Sequence, residues 1–511
     1  MVSLYQSMKS WIKYSLSGFV FFNIVLCAWS ILHNDIYYYT DIARDFLIFD
    51  EIVTKKLVLF GPRADMQGLF HGILWHYVNV PAYVIGGGNP VFVGWFWMLL
   101  IGGFLGSVFY VTKKLFGELS AYIASALIVA SIVPTAQGFF HGNGATLIMP
   151  LFYYSIVRYV QTLKTKYLLT HLIIVGMLVQ FEIAVGVPLA ILSVIFTLLL
   201  IVKKRLWKHL YSFLALIPFA ATFLLIELRY DFLQFRSLMN YASGTRDGGA
   251  HTPFVLSLLD RFRNIGTQGI NIAQAPLQAA NFILFSFLLG GIVQSKLKRD
   301  KNTVIYGSFL YFYVGYYALT MLHGGYLIKF WWLPMSILPI LMISSLYQYI
   351  PKRIYGAFIA LFLGIVTMQN IGFIQNTTAE RGKKTHSWQL HYANAQNALA
   401  KAPKEYGYFI YAPDIYGYQD KYAFLYASRQ LQGKGFAFEK KQTTYVLSEP
   451  PPANFVGQDT DWWVKVKLKI ASEPIARERM PGGYEVRTYK LSSEDLSTPS
   501  EIPISDWLFY R

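Results

Sequence analysis

The feature that most constrains this chain is an apolar run about 20 residues long, with at most one charged residue, repeated over three quarters of its length. A run of that length closes its own backbone hydrogen bonds as a helix and matches the hydrocarbon thickness of a bilayer. Such runs recur at 14–32, 91–112, 118–134, 145–161, 167–182, 183–202, 209–227, 276–295, 303–322, 331–349 and 354–374. They predict about eleven spanning helices. The first run is longer than a signal-peptide core and lacks a small-x-small cleavage site before Asp35, so it reads as a retained signal anchor. Cys27, the single cysteine, sits inside that run, and it excludes an intrachain disulfide.

The net charge of +17 does not point to nucleic acid, because the lysines and arginines fall in short clusters between apolar runs and form no continuous stripe. With the N-terminus inside, the clusters at Lys113–Lys114, Arg158 with Lys164 and Lys166, Lys203–Lys204–Arg205, Lys296 with Lys298 and Arg299, and Lys352–Arg353 all fall on one side. The turns near Thr135–Asn143, Glu182 and His323–Tyr326 carry neither lysine nor arginine. The positive-inside rule then puts these turns, and the C-terminus, on the extracytoplasmic side of a multi-pass cell-membrane protein.

Two outside loops are long. In the first, 34–89, Ile42, Phe46, Phe49 and Val53 form a helical stripe that Thr40 can cap, which predicts an interfacial helix. The second, 229–275, has two amphipathic stretches around the glycine-rich tip Ser243–Pro253, a candidate mobile lid. After Ile374 the composition turns polar. "SWQLHYANAQNALAKA" and "QDKYAFLYASRQLQ" read as helices; "YGYFIYA", "TTYVLSE", "VKVKLKIA" and "YEVRTYKL" read as strands. The fold class expected is an α-helical polytopic membrane protein, 1–375, with a small α/β domain at 376–511.

The chemistry concentrates in "YYYTDIARDF", Tyr37–Phe46. Asp41, Arg44 and Asp45 stand at i, i+3 and i+4 on the expected helix, just beyond the first span. Two carboxylates flanking an arginine can hold a cation, take a proton from a hydroxyl, or pair for stability. An arginine there suits a phosphate.

A first span, an outside Asp41-Ile42-Ala43-Arg44, an interfacial helix and a following Gly61-Pro62 segment resemble the GT-C superfamily of membrane glycosyltransferases. The resemblance is to the branch of the protein O-mannosyltransferases and the aminoarabinose transferase that modifies lipid A. That branch typically has Asp-Glu-x-Arg; here the second acid is missing, and Asp45 or Asp35 is the candidate substitute. At the distance where the aminoarabinose enzymes carry an acid, a lysine and two prolines, this chain has Phe70-His71-Gly72, with His71 in the lysine's place.

The resemblance implies transfer of one hexose or pentose from a polyprenyl-phosphate carrier to a glycan, lipid or protein acceptor, on the outer face and with inversion. It implies Asp41 as general base, Arg44 and His71 on the donor phosphate, and Asp35 or Asp45 orienting the acceptor or the base. It covers the first 150 residues well, the other spans in outline, and leaves 376–511 unexplained.

In "HGGYLIKFWWLP", Lys329 either snorkels to the surface or meets the donor phosphate, and His323 and Tyr326 occupy the preceding outside turn as auxiliary candidates. "FFHGNGATLIMP" is a tight turn or a place for close approach to the backbone, and Glu182 is too costly to face lipid. His71 with His76 and the acids lacks zinc-ligand spacing, so no metal site or other cofactor is assigned, and a divalent ion is left open. Partners are the lipid-linked donor, membrane lipids and the acceptor, not nucleic acid. A flippase of lipid-linked glycans is the main alternative; it would show repeats and charges at the bilayer midplane. A scaffold whose outer domain binds a partner is the third.

Overall fold

A computed structural model describes residues 2–501 other than 56, 65, 67, 243–252, 299–301, 324, 413–415, 432–433 and 452–458. The expected lid tip, apart from Pro253, lies outside these residues.

In chain order the helices are α1 Val2–Cys27, α2 Thr40–Lys55, α3 Leu74–Ile85, α4 Pro90–Phe116, α5 Glu118–Ala136, α6 His141–Thr162, α7 Thr165–Phe181 and α8 Ile183–Lys204. Then come α9 Trp207–Arg229, which begins with 3-10 turns, α10 Leu233–Ala242 and α11 Phe254–Gly266. They are followed by α12 Leu277–Leu297, α13 Thr303–Leu319, α14 Lys329–Ile343 and α15 Lys352–Glu380. Among the described residues, eight helices are long and apolar enough to cross a membrane: α1, α4, α5, α8, α9, α12, α14 (continued to Gln348) and α15. The other three predicted spans are also helical, as α6, α7 and α13. The two amphipathic stretches of the second loop are α10 and α11.

The chain forms two compact units. The first holds Met1–Trp29, Leu59–Trp75 and Phe96–Ile374; the second holds Ser30–Val58, His76–Trp95 and Gln375–Arg511. α2 and most of α3 therefore cluster with the C-terminal residues.

Polar side chains tie the helices of the first unit. Asn370 Nδ2 on α15 donates to the Ala130 carbonyl of α5 (2.8 Å) and to Asn23 Oδ1 of α1 (3.3 Å). Gln137 Nε2 donates to the carbonyls of Leu26 (2.8 Å) and Cys27 (3.1 Å). In an apolar surround such bonds favour one register of the helices. The glycines of "FFHGNG" serve close packing at the start of α6: a Cβ on Gly144 would stand 2.9 Å from Trp75 and 3.0 Å from Phe181.

The second unit continues with α16 Trp388–Leu399, β1 Glu405–Tyr411, α17 Tyr418–Gln430, β2 Lys434–Ala437, β3 Thr443–Ser448, β4 Ala476–Arg479 and β5 Glu485–Lys490. The sheet order is β2-β1-β3-β5-β4, with β2, β1 and β3 parallel and β5 antiparallel to both β3 and β4. β1 is buried along most of its length, as a central parallel strand requires. Ile42, Phe46 and Phe49 of the predicted stripe are buried, with Phe46 5.1 Å from the Tyr422 ring of α17, whereas Val53 is exposed. The apolar face of α2 is thus covered by protein.

One predicted strand is corrected. "VKVKLKIA" does not join the sheet; Trp463–Lys467 is a π-helical turn. Val464 and Leu468, four apart, are buried while Val466 is exposed, a helical burial pattern.

Candidate functional site

The start of α2 carries the first cluster, in the second unit. Arg44 Nη2 lies 2.9 Å from Asp41 Oδ1, the i,i+3 spacing bringing the groups together on one turn. Asp41 keeps about a third of its side chain exposed, and Arg44 is mostly covered. Arg44 Nε is buried without a hydrogen-bond partner among the described residues. Asp45 turns inward instead: its Oδ1 lies 3.1 Å from His76 Nε2 on α3, and both side chains are buried.

Asp35, in the same unit, is enclosed. It accepts from Ser387 Oγ (2.7 Å), the Ile36 amide (2.9 Å) and the Gln389 amide (3.1 Å). Burial pushes its carboxyl above the ordinary carboxylate pKa, against the pull of those bonds. It borders a small polar cavity with Tyr37, Glu380, Arg381, Lys384 and His386.

The remaining candidates belong to the first unit. His71 is fixed by paired backbone bonds, Gly61 N to His71 O and His71 N to Pro62 O, both 2.9 Å. A Cβ on Gly72 would collide with Gln180, 2.6 Å from its Cα, so glycine is what lets the chain at His71 lie against the end of α7. His71 Nδ1 is 3.7 Å from Glu182 Oε1, and its ring centroid is 4.5 Å from that of His141. Glu182 caps α8, accepting from the Ala184 amide at 3.2 Å. The ligand-type atoms of His71, His141 and Glu182 all lie within 4.8 Å of one another, and all three residues are buried. In the sequence His71 and His76 lack zinc-ligand spacing; the fold brings His71 to His141 and Glu182, distant in sequence.

Lys329 begins α14 and is exposed, as is Tyr326. The His323 ring packs edge-on against Trp331 at 4.7 Å. The sequence reading missed Arg261. This buried residue of α11 donates through Nη2 to the carbonyls of Thr320 (3.0 Å), His323 (3.0 Å) and Gly325 (2.9 Å), and so fixes the turn before α14. Its basic position inside an amphipathic helix was the available signal.

No protein-family model matches the chain, and no curated protein matches it by sequence. Solved structures do. The crystal structure of ArnT, the aminoarabinose transferase, from Cupriavidus metallidurans bound to undecaprenyl phosphate matches with a TM-score of 0.57 at 12% identity, over 94% of this chain and 98% of that one. Its apo structure matches with 0.56 at 12% identity, over 97% and 100%. The Archaeoglobus fulgidus oligosaccharyltransferase in the apo form matches at 0.48 and 12% identity, over 85% and 70%. The likeness to the aminoarabinose transferase extends over nearly the whole of both chains, and the fold of this polytopic membrane protein is the GT-C fold.

Proposed function

We propose that this protein is a glycosyltransferase that moves a single hexose or pentose from a polyprenyl-phosphate donor to a lipid, glycan or protein acceptor, with inversion. The observation that carries the reading is the Asp41–Arg44 pair at 2.9 Å on a GT-C fold. The acceptor hydroxyl gives its proton to the Asp41 carboxylate while its oxygen attacks the anomeric carbon. The bond from that carbon to the phosphate oxygen breaks, and the phosphate leaves with the electron pair. Arg44 steadies the developing charge, and its Nε–H, without a hydrogen-bond partner among the described residues, gives it a donor beyond the bond to Asp41.

A structural neighbour bound to undecaprenyl phosphate supports a carrier of that class. Asp45, through His76, orients the helix turn that bears the base, and Asp35 holds the chain entering it. The sequence resemblance keeps His71 as a candidate for the donor phosphate and the sequence reading adds Lys329, with His323 and Tyr326 beside Lys329 in sequence. The distribution of lysine and arginine between spans supports an extracytoplasmic active site and outer domain.

The test is Asp41→Asn in reconstituted membranes supplied with a polyprenyl-phosphate sugar. Transfer falls by about 100-fold or more while the purified protein elutes unchanged on size exclusion. Near-normal turnover removes Asp41 from the role of base. Sugar-bearing polyprenyl phosphate among the copurified lipids would identify the donor.

A further inference from the structure

We infer that His71, His141 and Glu182 form a binding site for a zinc-like divalent cation. The site goes beyond the glycosyltransferase reading and stands on geometry in one unit of the fold. Three different segments deliver the ligands: the segment that pairs His71 with Gly61 and Pro62, the first residue of α6 and the cap of α8. Two imidazoles and one carboxylate are a zinc ligand set that leaves a fourth position open. Around tetrahedral zinc, neighbouring ligand atoms stand about 3.3 Å apart, which follows from metal–ligand bonds of about 2.0–2.2 Å. The 3.7 Å between His71 Nδ1 and Glu182 Oε1 is within a few tenths of that spacing, and the full set lies within 4.8 Å.

The support around the ligands is that of a held site. Backbone bonds to Gly61 and Pro62 fix His71, and the Ala184 amide orients the Glu182 carboxylate. A Cβ on Gly142 would stand 3.0 Å from Glu182 Oε2, so the glycine after His141 leaves room for the carboxylate. Such outer contacts set ligand direction and weigh on affinity. Two neutral histidines and one carboxylate leave a divalent ion with one positive charge, so hydroxide or a phosphate oxygen is the natural fourth ligand. The ion ties the 61–72 segment to α6 and α8.

The experiment uses the full chain in detergent, stripped with chelator and then titrated with Co2+ or Zn2+ alone. Wild type takes up one ion per chain, Co2+ shows the visible bands of a four- or five-coordinate site, and Zn2+ raises the unfolding temperature. Glu182→Gln keeps the shape of the side chain, weakens binding at least about tenfold and loses the zinc-induced rise. His209→Ala, a histidine paired with Tyr159 elsewhere in the unit, binds as wild type does. Where Glu182→Gln aggregates, His141→Ala replaces it, and wild-type stoichiometry decides alone. No stoichiometric uptake by wild type, or unchanged affinity in the ligand variants, overturns the site. Neither readout depends on sugar transfer, so a failure here is distinct from a failure of Asp41.

Discussion

Asp45 Oδ1 and His76 Nε2 stand 3.1 Å apart with both side chains buried, joining α2 to α3. Asp41, one turn earlier, stays partly exposed against Arg44. The two acids on one helix face therefore differ in setting: one keeps part of its side chain exposed, the other anchors the helix to α3. Removing one partner of this buried pair takes a hydrogen bond from the other, at a cost of roughly 1–3 kcal/mol. Asp45→Ala should lower the unfolding temperature in detergent markedly, and the Asp45→Ala/His76→Ala double variant should cost less than the two single losses added. Strict additivity in that cycle would show that the pair is not coupled.

Arg44→Lys tests the phosphate role apart from charge. Lysine keeps the positive charge but loses the planar fork and the Nε–H, which has no hydrogen-bond partner among the described residues. The expected result is a donor KM raised about tenfold or more, with a smaller change in acceptor KM and in stability. Equal losses for both substrates would argue against a donor-phosphate contact.

The apolar helices were legible because length and hydropathy alone specify them: every predicted run is helical, and eight of the described helices are long and apolar enough to cross a membrane. The buried face of α2 was legible from Ile42, Phe46 and Phe49, but what covers it was not: Tyr422 lies hundreds of residues downstream. "VKVKLKIA" misled because alternation is a local signal, and burial of Val464 and Leu468 follows tertiary packing. The His71–His141–Glu182 cluster is the strongest case. Its members are separated by whole helices, so no motif spacing describes them. "FFHGNG" and the acid between α7 and α8 could be noted singly, without a reason to join them.

His391 makes the second unit sensitive to alkali. Its Nδ1 lies 2.7 Å from Asp420 Oδ1 and its Nε2 2.9 Å from the Thr385 carbonyl, so both ring nitrogens face acceptors. Burial pulls its pKa down, but the Asp420 carboxylate and the Thr385 carbonyl outweigh this and hold it above the ordinary histidine value. A raised folded-state pKa gives stabilisation that is full below the unfolded value of about 6.5 and fades as pH rises through the folded value. Unfolding followed from about pH 6 to about pH 9 should show falling stability. In His391→Gln the slope should flatten, and an unchanged slope would assign the effect to other groups.

Arg261 gives the last prediction, because it links stability to the turn before α14. Its Nη2 serves three carbonyls at 2.9–3.0 Å and its Nη1 pairs with Asp260 at 2.6 Å, all within the first unit. No other standard side chain offers this fork of donors. Arg261→Gln leaves the buried Thr320 carbonyl and the partly buried carbonyls of His323 and Gly325 short of donors, at roughly 1–3 kcal/mol for a buried group left unsatisfied. The unfolding temperature should fall. If Lys329 meets the donor phosphate, loosening the turn that leads into its helix should also raise the donor KM in the protein that remains folded, as Lys329→Ala should. A stability loss with donor KM unchanged in both variants would confine Arg261 to the fold and remove Lys329 from the donor site.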